Sequence, residues 1–505
     1  MVERPANVIV IGAGPTGLLL AIELVLAGAR VEIFERLAAP TETIKAGMIG
    51  ALAGEALERR GLGPALEAEE GAMREDVAAF RRKMGLDPAT AVTNRGGHFA
   101  GLNFDLPRQG GPERRPRGVR RQLELELMLD ARARALGVEI RRGYELVDFA
   151  EEADLVRVDL AGPEGGVSLT CAYLVGCDGG RSTVRKQGGF AFPGTDPSLT
   201  GHQAIVELDP PETLATTGWR RTPTGMMSYG TLPGRLMLLE FDGPPEDRDA
   251  PVTRDGLEAI LRRVSGVDVR IKSLKSAGRW TDNARQASNY RRGRVFLAGD
   301  AAHVHSPFGG QGLNLGLLDA ANLGWKLAAV LRGDADDDLL DSYSAERHPV
   351  AARVLSNTRA QVAIMRPDEQ AGAMRDIVAD LIASEEGARY FGEMISGLKT
   401  RYDLGSDDPD VGRLSADIAL GGEGAAATSL YALMQSGGGV LIDAAGGAAS
   451  EVAVAWGSRV HCVEARDRTS RLVRPDACIA WTSAGDAVDG LEAALHRWFG
   501  PPRRV

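Results

Sequence analysis

The period of hydrophobic and polar positions changes several times along this chain, and each change marks an element. Val8-Ile9-Val10-Ile11 is an unbroken β-branched run, the pattern of a buried strand. A glycine-rich turn, the apolar helix Leu18–Leu26, a stop at Gly28 and a second strand over Val31–Phe34 follow. Ala51–Gly61 has helical character, whereas charged residues dominate Glu67–Lys83, which predicts a solvated helix and loop. Arg95–Asp105 reads as strand with glycine interruptions, bending near a ligand. Apolar positions from Leu123 through Ala133 and Leu136 predict a helix ending at Gly137, ahead of a strand over Val138–Arg141. Leu155–Leu160 and Val167–Leu169 form a hairpin pattern, and Tyr173–Val175 is a further short apolar run. Strands alternating with helices in this way predict an α/β fold with a doubly wound sheet.

The character shifts between Phe190 and about Gly278. Short alternating segments (His202–Leu208, Met226–Tyr229, Arg235–Phe241) between Pro/Gly-rich turns predict an antiparallel sheet. Met227 and Tyr229 share one face; Met237, Leu239 and Phe241 share another. Such faces are either plain core or the wall of an aromatic-substrate pocket. A strand over Arg294–Ala298 then leads into a glycine-rich turn and a long helix carrying Leu315, Leu318, Leu323, Trp325, Leu327 and Val330. Helix continues over Leu339–Leu355 and on to about Leu398, and Asp403–Glu423 has the composition of a linker. Strands over Val440–Ile442, Val460–Val463 and Cys478–Trp481 with a helix at Ala487–Phe499 give the tail a thioredoxin-like pattern. The expected division is therefore a discontinuous Rossmann-like nucleotide domain (1–75, 106–189 and 279–400), a substrate domain (76–105 and 190–278) and a tail unit (401–505).

Composition narrows the function classes. At 505 residues the chain exceeds a single core, and 44% hydrophobic with 25% charged residues is ordinary for a globular protein. A net charge of −10 argues against a nucleic-acid surface or a polybasic membrane patch. No apolar run reaches the roughly 18 residues a spanning helix needs, and the first apolar segment lacks a signal-peptide cleavage site. Cys171, Cys177, Cys462 and Cys478 fit neither C-x-x-C nor zinc spacing, so buried free thiols in a cytoplasmic protein are expected. No His/Cys/Asp cluster with metal-ligand spacing is seen.

Candidate chemistry gathers at three turns. Gly12, Gly14 and Gly17 stand at G-x-G-x-x-G spacing between strand and helix, where Gly12 permits the turn, Gly14 the approach of a pyrophosphate, and Gly17 close helix–strand packing. The helix start at Pro15 and Thr16 offers amide donors to phosphate, and Glu35, at the end of the second strand, is placed for ribose hydroxyls. Asp178 follows a strand in Asp-Gly-Gly, with Ser182 able to cap a short helix and Arg181 and Arg185 nearby. It reads either as a phosphate or ribose contact or as a turn residue satisfying loop amides. Asp300 in Gly299-Asp300, before Pro307–Asn314, calls for hydroxyl donors from a ligand, or is a structural turn residue. His98 stands alone and reads as structural.

With these segments assembled, the chain resembles the single-component FAD-dependent aromatic hydroxylases of the p-hydroxybenzoate hydroxylase fold. It looks most like the aromatic polyketide branch with an added thioredoxin-like tail. The resemblance is carried by Gly12–Gly17 with Glu35, Cys177-Asp178-Gly179, and Gly299-Asp300 with Pro307–Asn314. Trp280, Arg285-Gln286-Ala287, Tyr290-Arg291, Gly97–Gly101 and Arg474-Pro475-Asp476 with Ile479-Ala480-Trp481 also fit. The resemblance implies that Gly12, Gly14, Pro15, Thr16 and Gly17 hold the FAD pyrophosphate, Glu35 and Arg36 the adenosine side, and Arg121 and Gln122 the flavin. It further implies Asp178 for FAD and NAD(P)H, Asp300 for the ribityl chain, and Pro307, Gly310, Gly312, Leu313 and Asn314 against the isoalloxazine. Lys45 stands where the family has Arg, keeping the charge and losing the planar fork.

The implied reaction is NAD(P)H- and O2-dependent hydroxylation of a polycyclic aromatic through a flavin C4a-hydroperoxide. The backbone of Gly310, Gln311, Gly312 and Leu313 would lie near that group, and Met227, Tyr229, Met237 and Leu239 would wall the substrate. Baeyer–Villiger insertion or oxidative rearrangement, a dehydrogenase or oxidase without oxygen insertion, and an FAD-retaining binding protein are the competing readings. The tail reads as a dimerisation module, giving a homodimer, or as a stabilising one.

Overall fold

The computed structural model describes residues 7–42, 47–88, 96–105, 114, 118–119, 121–210, 214, 218–230, 232–420, 428–465, 469–485 and 487–502. Its centre is a six-stranded sheet in the order Arg291–Arg292, Val295–Leu297, Tyr173–Gly176, Val8–Ile11, Val31–Glu35, Glu139–Arg142. All neighbours are parallel except the first pair. Val8–Ile11 is central and buried along its whole length, which explains why it carries no polar face. The helices Pro15–Leu26 and Gly312–Leu331 pack along each other over this sheet. A Cβ on Gly324 would come within 2.4 Å of Glu23 Cβ, so only glycine allows this approach. The predicted hairpin is present and gains a third strand, Glu145–Glu151.

A second, antiparallel sheet runs Arg220–Thr222, Gly225–Tyr229, Arg235–Glu240, Thr200–Asp209, Arg270–Thr281. One face is covered by a helix absent from the sequence reading, Arg254–Ser265, capped by Thr253 at its start and by Gly266 (φ 71°) at its end. Only Leu257, Leu261 and Val264 of that helix are buried, a sparse apolar signal among charged residues. The expected boundaries at 75/76 and 278/279 fall inside elements, the Gly63–Lys83 helix and the Arg270–Thr281 strand. That helix buries Leu66 in the core of the nucleotide-side sheet, while Met84, just beyond its end, belongs to the core of the antiparallel sheet.

The tail holds a four-stranded sheet in the order Val460–Glu464, Gly439–Asp443, Ser470–Val473, Ile479–Ser483. The first pair is parallel and the others antiparallel, with the helix Leu491–Phe499 following. Ser470–Val473 escaped the sequence reading because it is short, with two polar residues ahead of only two apolar ones. The described part of the stretch read as a linker, through Leu420, is packed structure: Leu404, Val411, Leu414 and Ile418 are buried, and Leu414 bridges to Cys478. All four thiols are free, but Cys462 is exposed rather than buried.

Charge, as well as apolar packing, joins the tail to the rest. Arg474 grips both oxygens of Glu346 at 2.7 Å and reaches Asp476 at 2.6 Å. Lys326 meets Glu346 at 2.9 Å, and Asn322 bonds both Glu346 and Asp476. Arg60 pairs with Glu23 at 2.7 Å and donates to the carbonyls of Met434 and Pro475. All of these side chains are buried. Two cations and two anions around Glu346 balance, which makes their burial tolerable.

Replacing Glu346 by Gln leaves Arg474 and Lys326 short of a counter-charge, and urea titration should show a loss of about 3–5 kcal/mol. Burial alone would raise the Glu346 pKa, but Arg474 and Lys326 override it and hold the carboxyl well below its ordinary 4.5. The unfolded state therefore takes up this proton first as pH falls, so the contribution present at neutral pH is lost below that value. Glu346→Gln should flatten the acid limb of the stability profile.

Candidate active site

Because Val8–Ile11, Tyr173–Gly176 and Val295–Leu297 are neighbouring parallel strands, the turns at their carboxyl ends meet. A Cβ on Gly12, which sits at φ +108°, would lie 2.4 Å from the Cys177 carbonyl oxygen, and one on Gly17 2.0 Å from the Gly12 carbonyl oxygen. Thr16 Oγ1 lies 2.8 Å from a Cβ position on Gly299 and 2.5 Å from one on Gly316, pinning the first helix to the Gly-Asp turn and to the long helix. Gly14 differs. A Cβ there meets nothing within 4 Å, and its backbone is ordinary extended chain. The space over Gly14, at the start of a 12-residue helix, is where a pyrophosphate fits.

Three carboxylates rim this space. Glu35 accepts from the Ala13 and Leu37 amides, each at 2.9 Å, so it braces the glycine turn while lining the cavity. Asp178 Oδ2 accepts from the amides of Thr183 (2.7 Å) and Val184 (3.1 Å), and Ser182 caps the short helix behind it. Asp178 Oδ1 is buried with no partner among the described residues. Burial raises the Asp178 pKa, against the lowering effect of Ser182 and the two amides. Asp300 is exposed and lines the same cavity. Arg185 is a brace: it donates to the carbonyls of Ala301 and Gly180 and lies over the Phe192 ring. Arg181 pairs with Asp249.

One cavity of about 1200 Å³ runs from Gly12–Thr16, Glu35 and Arg36 past Gln122, Asp178, Asp300, Pro307, Gly310, Gly312 and Leu313 to the antiparallel sheet. At that far end Trp219 and Trp280 meet Phe308 edge-on, at ring-centroid distances of 6.0 and 5.5 Å. Trp280 lies against Gly201, where a Cβ would come within 2.2 Å of the indole. Gln203, Ser228 and Met237 form the floor. The residues present therefore fit a dinucleotide at one end and a flat apolar molecule at the other.

Several expected residues are placed differently. Met227 and Tyr229 face away from the cavity, into the core under the Arg254–Ser265 helix; the pairing Ser228↔Met237 puts Ser228 on the cavity side instead. Leu239 shares the cavity side but is buried in a cluster with Met226 and Phe308, leaving Met237 as the member of that set lining the cavity. Arg121 is exposed and turned to Asp76 and Glu124, because it is the N-cap residue of the Gln122–Ala135 helix. Asn314 does not line the cavity: its Oδ1 accepts from the Gly50 amide at 2.7 Å and its Nδ2 donates to the Gly310 carbonyl, tying two loops together. Gln311 is likewise turned inward, to Asn357 and the carbonyls of Met394 and Ile395. Lys45 lies outside the described residues.

His305 and Trp219 were missed by the sequence reading. His305 lines the cavity beside Gly312, its Nδ1 donates to the Ser306 carbonyl at 2.8 Å, and burial lowers its pKa. A second histidine two residues after His303 was the available signal. Trp219 had none, since it stands in a short segment without periodicity.

The glycine geometry separates two outcomes. Gly14→Val should leave the thermal midpoint of the flavin-free protein within a few degrees of wild type while abolishing flavin retention on gel filtration. Gly12→Val should fail to give folded protein, because its side chain meets backbone.

Comparison with known proteins agrees with this geometry. A family model described as FAD binding domain matches residues 5–358, and one described as aromatic-ring hydroxylase, C-terminal, matches residues 408–502. The chain is 40% identical to a 12-dehydrotetracycline 5-monooxygenase/anhydrotetracycline 6-monooxygenase of Streptomyces rimosus, over 98% of this chain and 99% of that one. It is also 40% identical to a rifampicin monooxygenase of Streptomyces venezuelae, over 98% of each. The solved structure of the anhydrotetracycline hydroxylase OxyS from Streptomyces rimosus superposes with a TM-score of 0.86 at 38% identity, covering 99% of this chain and 100% of that one. The chain thus belongs to the FAD-binding aromatic-ring hydroxylases and is an FAD-dependent monooxygenase.

Proposed function

We propose that this enzyme hydroxylates a polycyclic aromatic substrate of polyketide type, consuming NAD(P)H and O2. The observation that carries this reading is the single cavity joining the Gly14 cradle to the walls of Trp219, Trp280 and Phe308. Relatives named for tetracycline and rifampicin chemistry, aligned over nearly the whole chain, support the same substrate class. In this reading the Thr16 and Gly17 amides hold the pyrophosphate over Gly14, and Glu35 and Arg36 face the adenosine end. Asp178 and Asp300 take ligand hydroxyls, and Gln122, Pro307, Gly310, Gly312 and Leu313 border the ring system. When bound, FAD would supply the redox chemistry that couples oxidation of NAD(P)H to cleavage of O2, one oxygen atom entering the substrate and the other leaving as water.

The chain's own part is placement. Phe308 sits beside Gly309 and Gly310 in one tight turn, so the aromatic wall and the backbone bordering the reacting end move as a unit. The Gly310–Leu313 backbone opens the Gly312–Leu331 helix, whose N-terminal partial charge favours negative charge developing there. Edge-on aromatic walls exclude water and orient a flat ring system. Asn314 and Gln311 act from behind, fixing that turn against Gly50 and against the Glu385–Ser396 helix.

Incubation with NADPH and a panel of polycyclic phenols should give a product heavier by one oxygen atom with its ring system intact. NADPH oxidation yielding only hydrogen peroxide across the panel would defeat the reading, as would bound flavin that NADPH does not bleach under anaerobic conditions. Met237→Trp, which fills the floor, should raise the substrate KM by about tenfold while leaving FAD retention unchanged.

A further inference from the structure

A chain of buried polar groups runs from the tail unit to the turn that carries Asp300. The Gly299 amide, immediately before Asp300, donates to Asp319 Oδ2 at 3.1 Å, and His303 Nε2 meets the same oxygen at 2.7 Å. Asp319 Oδ1 accepts from Arg347 Nε at 2.7 Å. Arg347 spends its other nitrogens on the Leu315 carbonyl at 3.0 Å and the Tyr402 hydroxyl at 3.1 Å. Tyr402 stands at the entry to the tail, with the Arg474 guanidinium 5.8 Å from its ring centroid. Glu346, the residue before Arg347, is the carboxylate that Arg474 grips. Asp319, His303, Arg347 and Arg474 are completely shielded from solvent.

Such a chain is poorly suited to partial occupancy. With Arg347 displaced, Asp319 becomes a buried charge without its cation, and the carboxylate must protonate or turn away. Either response loosens its hold on the Gly299 amide, which anchors a turn whose glycine sits at φ +62°. Asp300 is the next residue, so its carboxylate moves with that amide. The tail reaches this turn through side chains, across a gap of about a hundred residues in the sequence.

We propose that Asp319 and Arg347 are positioning residues for the cofactor, and that the tail unit, through Tyr402, Glu346 and Arg474, sets the turn on which Asp300 is presented. The tail is then a part of the flavin site at a distance, rather than an appended stabilising or dimerising module. This inference rests on the reading of Asp300 as a flavin ligand.

The test uses full-length protein stripped of flavin and retitrated with FAD, following fluorescence quenching, the visible circular dichroism of the bound flavin, and the melting temperature of the flavin-free form. Tyr402→Phe removes only the hydroxyl that Arg347 donates to and should weaken FAD binding about threefold; Asp319→Asn should weaken it about thirtyfold and alter the flavin dichroism. Asp443→Asn serves as the control. It lies in the tail sheet, accepts from the Ala445 and Ser450 amides, and touches none of these groups, so it should lower the melting temperature with FAD affinity within about twofold of wild type. If Tyr402→Phe and Asp319→Asn lower the melting temperature as the control does and leave affinity and dichroism unchanged, the inference is overturned. Should Asp319→Asn not fold, Tyr402→Phe against the control decides alone. Asp300→Asn separates the premise: no loss of FAD affinity there removes the ligand reading itself, independently of the tail.

Discussion

The approach of the Gly12 backbone to Cys177, closer than any side chain permits, is the constraint from which the site follows. It exists because two strands far apart in sequence, Val8–Ile11 and Tyr173–Gly176, lie side by side and parallel, and parallel strands end together. The turns after them must then share one small volume. A third strand, Val295–Leu297, brings the Gly-Asp turn to the same edge, and Thr16 fills the gap between that turn and the long helix. Gly12 and Gly17 are required because what faces them is backbone. Gly14 alone of the first three faces open space, so packing does not require it as it requires the other two.

The antiparallel sheet contributes through its two faces. Its cavity face carries Gln203, Ser228 and Met237, while the apolar set of Ala204, Met227, Tyr229 and Leu238 packs under the Arg254–Ser265 helix. A sheet covered on one side by a helix and on the other by a ligand cavity needs its fully apolar face toward the helix. The cavity face needs adaptable polar groups beneath an aromatic molecule and gains its apolar walls from elsewhere, at Trp219, Trp280 and Phe308.

Buried charge holds the third unit in place. Removing Arg474, Glu346, Lys326 and Asp476 from water is costly, and the cost is offset only while all four stay together. The tail therefore docks in one orientation, where an apolar interface alone would tolerate slippage. Arg59 and Arg60 make a second contact of the same kind, with the Asp476 and Pro475 carbonyls. Adjacent residues on one helix, Glu346 and Arg347, bond Arg474 of the tail and Asp319 of the long helix, so the tail contact and the contact behind the Gly-Asp turn share a rigid support.

By itself, the sequence determined the elements whose signals are local. Val8–Ile11, the glycine turn and the Pro15–Leu26 helix are legible because strand, turn and helix residues follow one another within a few positions. Ser182 as a cap and Gly299-Asp300 at a strand end are legible for the same reason. Tertiary structure decided whatever depends on partners distant in the chain. Whether Met227 or Ser228 reaches the cavity is a matter of which face the Arg254–Ser265 helix covers, and alternation alone leaves both faces open. Arg121 and Asn314 carry the right chemistry at the right spacing, yet one turns to Asp76 and Glu124 at the exposed start of a helix and the other is consumed by Gly50. Asp403–Glu423 looks like a linker by composition, and its described part is ordered because Leu404, Val411 and Leu414 find buried places against the tail. Local pattern fixes backbone conformation; the direction and partner of a polar side chain are set by what the rest of the chain brings beside it.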